Sequence, residues 1–146
     1  MTVVVDITIE LAENESNKLA ILVQTSCEQT INLHGTDPVE IACIIADSDR
    51  LQYLNKKFRN MDMPTDVLAF PNSKKNRGDI AIALDIATRH AQEAGWPVER
   101  EVAYLATHAT LHILGYHHDN DKAYCHMRWA EDEVLKCLGY LPAPSR

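Results

Sequence analysis

Four of the seven histidines fall within one short stretch, "HATLHILGYHH", at positions 108, 112, 117 and 118. Neutral imidazole is the commonest protein ligand for transition metals, so histidines crowded at fixed spacing raise the question of a shared ion. On an α-helix, His108 and His112 stand about 40° apart around the axis and one turn apart along it. Gly115 supplies the stop, because the left-handed residue after a helix is commonly glycine. The bend that follows brings His118, or its neighbour His117, back toward the same point. Spacing alone leaves the third ligand open between these two. The pattern H-x-x-x-H-x-x-G-x-x-H, shared with known helix-turn metal sites, favours His118. Three neutral imidazoles leave one corner of a tetrahedral Zn²⁺ open, the arrangement of a catalytic rather than a structural site. Water in that corner ionises near neutral pH and attacks an ester, amide or phosphodiester.

Two other functions use the same geometry. Zinc endopeptidases of the metzincin type share the spacing but carry a glutamate directly after the first histidine, as base. Here that residue is Ala109, and no acid lies between His108 and Gly115, which counts against proteolysis. A non-catalytic factor with a structural ion needs a fourth protein ligand to close the site. Cys125 is the cysteine nearest in sequence for that role. His34, His90 and His126 lack partners at metal spacing and are expected to be surface or hydrogen-bonded structural residues.

The elements that must position these residues follow from pattern. "TVVVDITIE" is β-branched and partly alternating, a first strand. "ESNKLAILVQTSCEQT" is helical, with Asn14 or Ser16 as N-cap, and "VEIACIIA" is a second strand. "DSDRLQYLNKKF" places Leu51, Leu54 and Phe58 on one helical face. A short extended "VLAF" lies between the turn signals Pro64 and Pro71, and "GDIAIAL" is expected to pair with it across a basic loop. From Asp85 onward the chain is helical, in three segments ending at Gly95, Gly115 and Gly139. Early strands and late helices predict an α+β fold, a small mixed β-sheet covered by helices, with the metal site at the C-terminal end of a long helix.

At 146 residues the chain is expected to form a single domain over 1–146. An apolar fraction of 46% with 24% charged residues excludes disordered and fibrous classes. No apolar run approaches the roughly 20 residues that span a bilayer, and the acidic, base-free N-terminus argues against a secretory signal. The expected location is cytoplasmic, with no membrane partner. Cys27, Cys43, Cys125 and Cys137 form no C-x-x-C pair and are expected to be small core residues. A net charge of −7 makes the whole chain a poor polyanion binder. Lys56, Lys57, Arg59, Lys74, Lys75 and Arg77 nonetheless form two basic clusters able to follow a nucleic-acid backbone, although solvated loop residues are the simpler reading of these clusters taken alone. No row of exposed aromatics is evident as a base-stacking platform.

"HATLHILGYHH" resembles the H-G-x-L-H-L-x-G-Y-D-H signature of the YbeY family, bacterial single-strand-specific endoribonucleases of ribosomal RNA processing. "LNKKFRNMDMPTDVLAFP" resembles the family's L-N-x-x-Y-R-x-x-D-x-P-T-D-V-L-S-F-P segment, and "GDIAIAL" its G-D-I strand. The similarity covers residues 51–116 and His118. It implies an α+β fold, a zinc-type ion, a single-stranded or ribosomal RNA substrate and contact with the ribosome. By that resemblance His108, His112 and His118 are the metal ligands and Arg59 is an arginine in the cleft beside the metal. Ala109 stands where the family has glycine, Ala69 where it has serine, and His117 where it has aspartate. His117 is therefore a candidate base or a competing ligand, with Asp119 a second candidate base. Arg59 is expected to pair with phosphate through its forked donors, whereas without the resemblance a salt bridge to Asp62 or Asp66 is the simpler reading. Thr65 and Asp66 either line the cleft or fix a turn.

Overall fold

The computed structural model describes residues 3–10 and 16–140. Four strands, β1 (Val3–Ile9), β2 (Val39–Ala46), β3 (Val67–Asn72) and β4 (Arg77–Ala83), form one sheet in the order β1-β2-β4-β3. The first two pairings are parallel and β3 runs antiparallel to β4, so the sheet is mixed, as expected. The helices are α1 (Ser16–His34), α2 (Ser48–Arg59), α3 (Leu84–Ala94), α4 (Val98–Ile113) and α5 (Asp121–Cys137). Asn14, one expected cap of α1, lies outside the described residues, and Ser16 is the first residue of the helix.

Alternation divides the sheet into two faces. Ile41, Cys43, Ile45, Ile80 and Ile82 point to the face packed by α1 and α4, and all are buried. α1 meets them with Leu19, Val23, Cys27 and Ile31, a stripe at four-residue spacing that is buried throughout. α4 is enclosed more completely, with Val102, Ala103, Leu105, Ala106, Ala109 and Leu111 all buried. Arg100, Glu101, Thr107 and Thr110 are buried on it as well, so α4 is enclosed on most sides, and its alanines let neighbours approach closely. The closest approach is at Gly78, where an added Cβ would stand 2.3 Å from Ile113 Cδ1. Only glycine allows the last turn of α4 to lie on β4, which fixes the histidine-bearing helix to the sheet.

The opposite face is covered at one end by α2 and α3 around Leu51, Leu68, Ala81 and Ile86. The apolar face expected of α2 is only partly a core face. Leu51 is fully buried, whereas Phe58, in the last turn of α2, is 60% exposed. β3 continues through Pro71 to Asn72 instead of stopping at Pro71. It is an edge strand, where a missing N–H costs no ladder bond. The cysteines also depart from expectation: Cys27 and Cys43 are buried, but Cys125 and Cys137 are exposed on and at the end of α5. Burial pushes the Cys27 thiol up to about 11 and raises that of Cys43, so both are inert.

Candidate metal centre

α4 ends as its sequence dictates. Tyr116 N–H bonds the Leu111 carbonyl at 2.9 Å and Gly115 N–H bonds that of His112 at 3.0 Å, the paired pattern that closes a helix over a left-handed residue. Gly115 takes φ +101°, a conformation side chains other than glycine rarely adopt. This turn also holds a ring. The carbonyl of Tyr116 accepts a hydrogen bond from His112 Nδ1 at 3.0 Å, which leaves Nε2 of that imidazole free to ligate.

His108 is fixed in the same way by a different partner. Its Nδ1 lies 2.5 Å from Oε2 of Glu131, a buried carboxylate on α5. The Nε2 atoms of His108 and His112 stand 3.1 Å apart. His118 comes back over them, its ring centroid 5.1 Å from that of His112 and 5.9 Å from that of His108. The three offer ligand atoms that all lie within 4.8 Å of one another. Burial, followed by the neighbouring His108 and His118, pulls the His112 pKa down to about 4 and keeps it a neutral donor near pH 7. The donor set, with two Nδ1 atoms already engaged and Nε2 atoms converging, fits a single divalent ion.

His117 is placed elsewhere. Its side chain is 53% exposed, with Nδ1 3.4 Å from Asp119 Oδ2. It lines a separate hollow with Gly115, Ala123 and His126, and is not part of the three-histidine group. Cys125 is likewise outside that group.

Arg59 reaches the cleft from the other side. Asn60, left-handed at φ 55°, ends α2 directly after it, and the arginine turns across the free edge of β3. Its Nη2 donates to the Ala69 carbonyl at 2.5 Å, and it lines a cavity of about 370 Å³ together with Ala69, His108, Ala109, His112 and His118. The alternative expected for Arg59, a salt bridge to Asp62 or Asp66, is absent among the described residues. Asp62 instead accepts from Gln52 at 3.0 Å and lies 3.8 Å from Lys56, while Asp66 lies 3.7 Å from His90. The guanidinium keeps donors for an anion in the cleft.

Several relationships were not visible in sequence. Glu131, the partner of His108, sits 23 residues away on another helix. His90, expected to be a surface or hydrogen-bonded residue, lies 3.7 Å from Asp66 and 3.9 Å from the buried Glu101, so that α3, α4 and the residue before β3 share one polar cluster. His34 and His126 pack with Tyr116 and Trp129, as structural histidines. Exposed aromatics are present after all. Tyr53 is 52% exposed, Phe58 stands 5.6 Å from Phe70, and Lys57 Nζ lies over the rings of both Tyr53 and Phe58.

The mixed sheet and the convergent histidines at the end of a buried helix define an α+β protein with a cleft whose three imidazoles could hold a metal ion. The family described as Endoribonuclease YbeY matches residues 6–139. The Endoribonuclease YbeY of Zymomonas mobilis is 37% identical, over 99% of this chain and 91% of its own. That of Roseiflexus sp. strain RS-1 is also 37% identical, over 81% of this chain and 82% of its own. The solution structure of TM1509 from Thermotoga maritima superposes with a TM-score of 0.63 at 25% identity, covering 92% of this chain and 91% of that one. The chain belongs to the YbeY endoribonuclease family, a family of hydrolases.

Proposed function

We propose that this chain is a metal-dependent endoribonuclease that cuts single-stranded RNA during ribosomal RNA maturation. His108, His112 and His118 would hold one divalent ion, zinc or another transition metal, and Arg59 would grip the phosphate. The observation that carries this reading is the single cleft shared by three converging imidazoles and an arginine that has no carboxylate partner among the described residues, in a chain of an endoribonuclease family. An ion so held supplies Lewis acidity and lowers the pKa of water.

The chain's own residues do the rest. Glu131 and the Tyr116 carbonyl hold the His108 and His112 rings in the tautomer that presents Nε2. The forked donors of Arg59, anchored on the Ala69 carbonyl, meet two phosphate oxygens and stabilise the charge that grows there. Lys56, Lys57, Lys74 and Lys75, at the end of α2 and in the short turn between β3 and β4, would follow the strand and make binding salt-sensitive. No step is assigned to His117, whose ring lies in a different hollow. Ala109 after the first histidine leaves a metallopeptidase without its usual base. Among the described residues no helix is long and apolar enough to cross a membrane. Four free thiols suit a reducing compartment, in keeping with a cytoplasmic enzyme that works beside the ribosome.

The test is incubation of metal-loaded protein with a single-stranded RNA and with a peptide, beside a His112→Ala variant purified identically. Cleavage of RNA alone, and only by the unsubstituted protein, is expected. Cleavage by both proteins or by neither contradicts the reading.

A further inference from the structure

The sheet face opposite the metal cleft carries a second hollow, of about 360 Å³, at the low end of the roughly 300–1,000 Å³ typical of ligand pockets. Its floor is one row across all four strands, Asp6, Ala42, Asp79 and Phe70. Its wall is Phe58, which stands 5.6 Å from Phe70 and is 60% exposed. The hollow adjoins the metal cleft through one side chain. Phe70 lies beneath the Arg59 guanidinium, 5.2 Å from ring centre to Cζ, and its neighbour Ala69 faces the histidines.

We propose that this hollow is a nucleobase subsite, in which an unpaired base next to the phosphate held by Arg59 stacks against Phe58 and Phe70. The proposal rests on RNA being the substrate. Charge decides which part of the strand enters. The lip carries Lys57, 5.4 Å from the Phe58 ring centre, and Arg59, whereas the floor carries Asp6 and Asp79. A phosphate is drawn to the lip and repelled by the floor, so the backbone stays outside and the base goes in. A basic protein segment is repelled at the lip. Stacking on an aromatic ring tolerates any base, and a carboxylate accepts from the amino groups of cytosine and adenine as it does from the N3–H of uracil, so the hollow should take any unpaired base. Asp79 is partly engaged by Arg77 at 3.5 Å, which leaves Asp6 and the second oxygen of Asp79 to accept from the edge of the base.

The experiment is fluorescence-anisotropy titration of the metal-loaded protein with short oligocytidylate, oligoadenylate and oligouridylate, strand integrity being checked after each titration. Phe58 is replaced by alanine and, separately, by tryptophan, and thermal unfolding confirms that both variants fold. Phe58→Ala should weaken single-strand binding about fivefold or more, and Phe58→Trp should stay within about twofold of the original. Binding to a duplex, whose bases are not free to stack, should be the same in all three. The unsubstituted protein should bind all three single strands, as stacking tolerates any base. Unchanged affinity in Phe58→Ala, or an equal loss on duplex, overturns the proposal. So does a variant that keeps RNA affinity and loses only co-sedimentation with ribosomes, since a protein would then occupy the hollow. Binding that depends on Phe58 without any cutting supports this subsite while contradicting the nuclease reading, so the two fail separately.

Discussion

The imidazole of His108 and the carboxylate of Glu131 meet at 2.5 Å, linking the metal-facing side of α4 to a buried acid on α5. A carboxylate behind a ligating histidine fixes its tautomer, holds its ring in plane and raises its basicity. Glu131→Gln keeps the shape and removes the charge. It should lower zinc affinity about 10- to 100-fold in competition with a chelating dye. Affinity equal to that of the original protein would show that His108 is oriented by something else.

Arg59 is the natural separation-of-function site, because it lies in the cleft without belonging to the ligand set. Arg59→Ala should retain one equivalent of metal by elemental analysis and lose RNA cleavage about a hundredfold or more, the usual cost of one preorganised donor to a charged transition state. Arg59→Lys should recover only part of the loss, because an ammonium cannot make the forked contact. A metal-free Arg59→Ala protein would contradict the assigned role.

Gly115 should be intolerant of a side chain for a local reason, its φ of +101°. Gly115→Ala should destabilise the fold by about 1–2 kcal/mol in urea unfolding. It should also weaken metal binding, since the same turn carries the carbonyl that holds His112. Stability loss with undiminished metal affinity would separate the turn from the site.

Acid should unfold the metal-free protein partly through His112. Its pKa is about 4 in the fold against an ordinary 6.5, because burial and the adjacent histidines oppose its charge. Between those values the unfolded chain binds the extra proton, so stability falls as pH drops from 6.5 toward 4. Above 6.5 this group contributes no slope. Urea midpoints against pH measure the effect, and His112→Gln should flatten that window. Stability that rises on acidification through it would reverse the assigned sign.

What could be read from the chain was what is local. The helix stop at Gly115, the shared face of His108 and His112, and the strand "VEIACIIA", observed as Val39–Ala46, depend on neighbours a few residues away. Glu131 was hidden because nothing local marks which acid of "WAEDEVL" turns inward. His90 was hidden likewise, its partners Asp66 and Glu101 arriving from separate elements. Phe58 failed for a different reason. Apolar spacing identifies the side of a helix that could be covered, not whether side chains fill the space between it and the sheet, and beside Phe58 a hollow is left. That failure left an aromatic wall beside the cleft which the sequence did not announce.

The central claim is that three imidazoles hold one ion with room left for solvent or substrate. X-ray absorption spectroscopy of the zinc-loaded protein tests it most directly. The predicted result is three imidazole nitrogens at about 2.0 Å, an oxygen completing the shell, and loss of this pattern in His112→Ala. A sulfur at about 2.3 Å, or a fourth protein ligand sealing the ion, would contradict it.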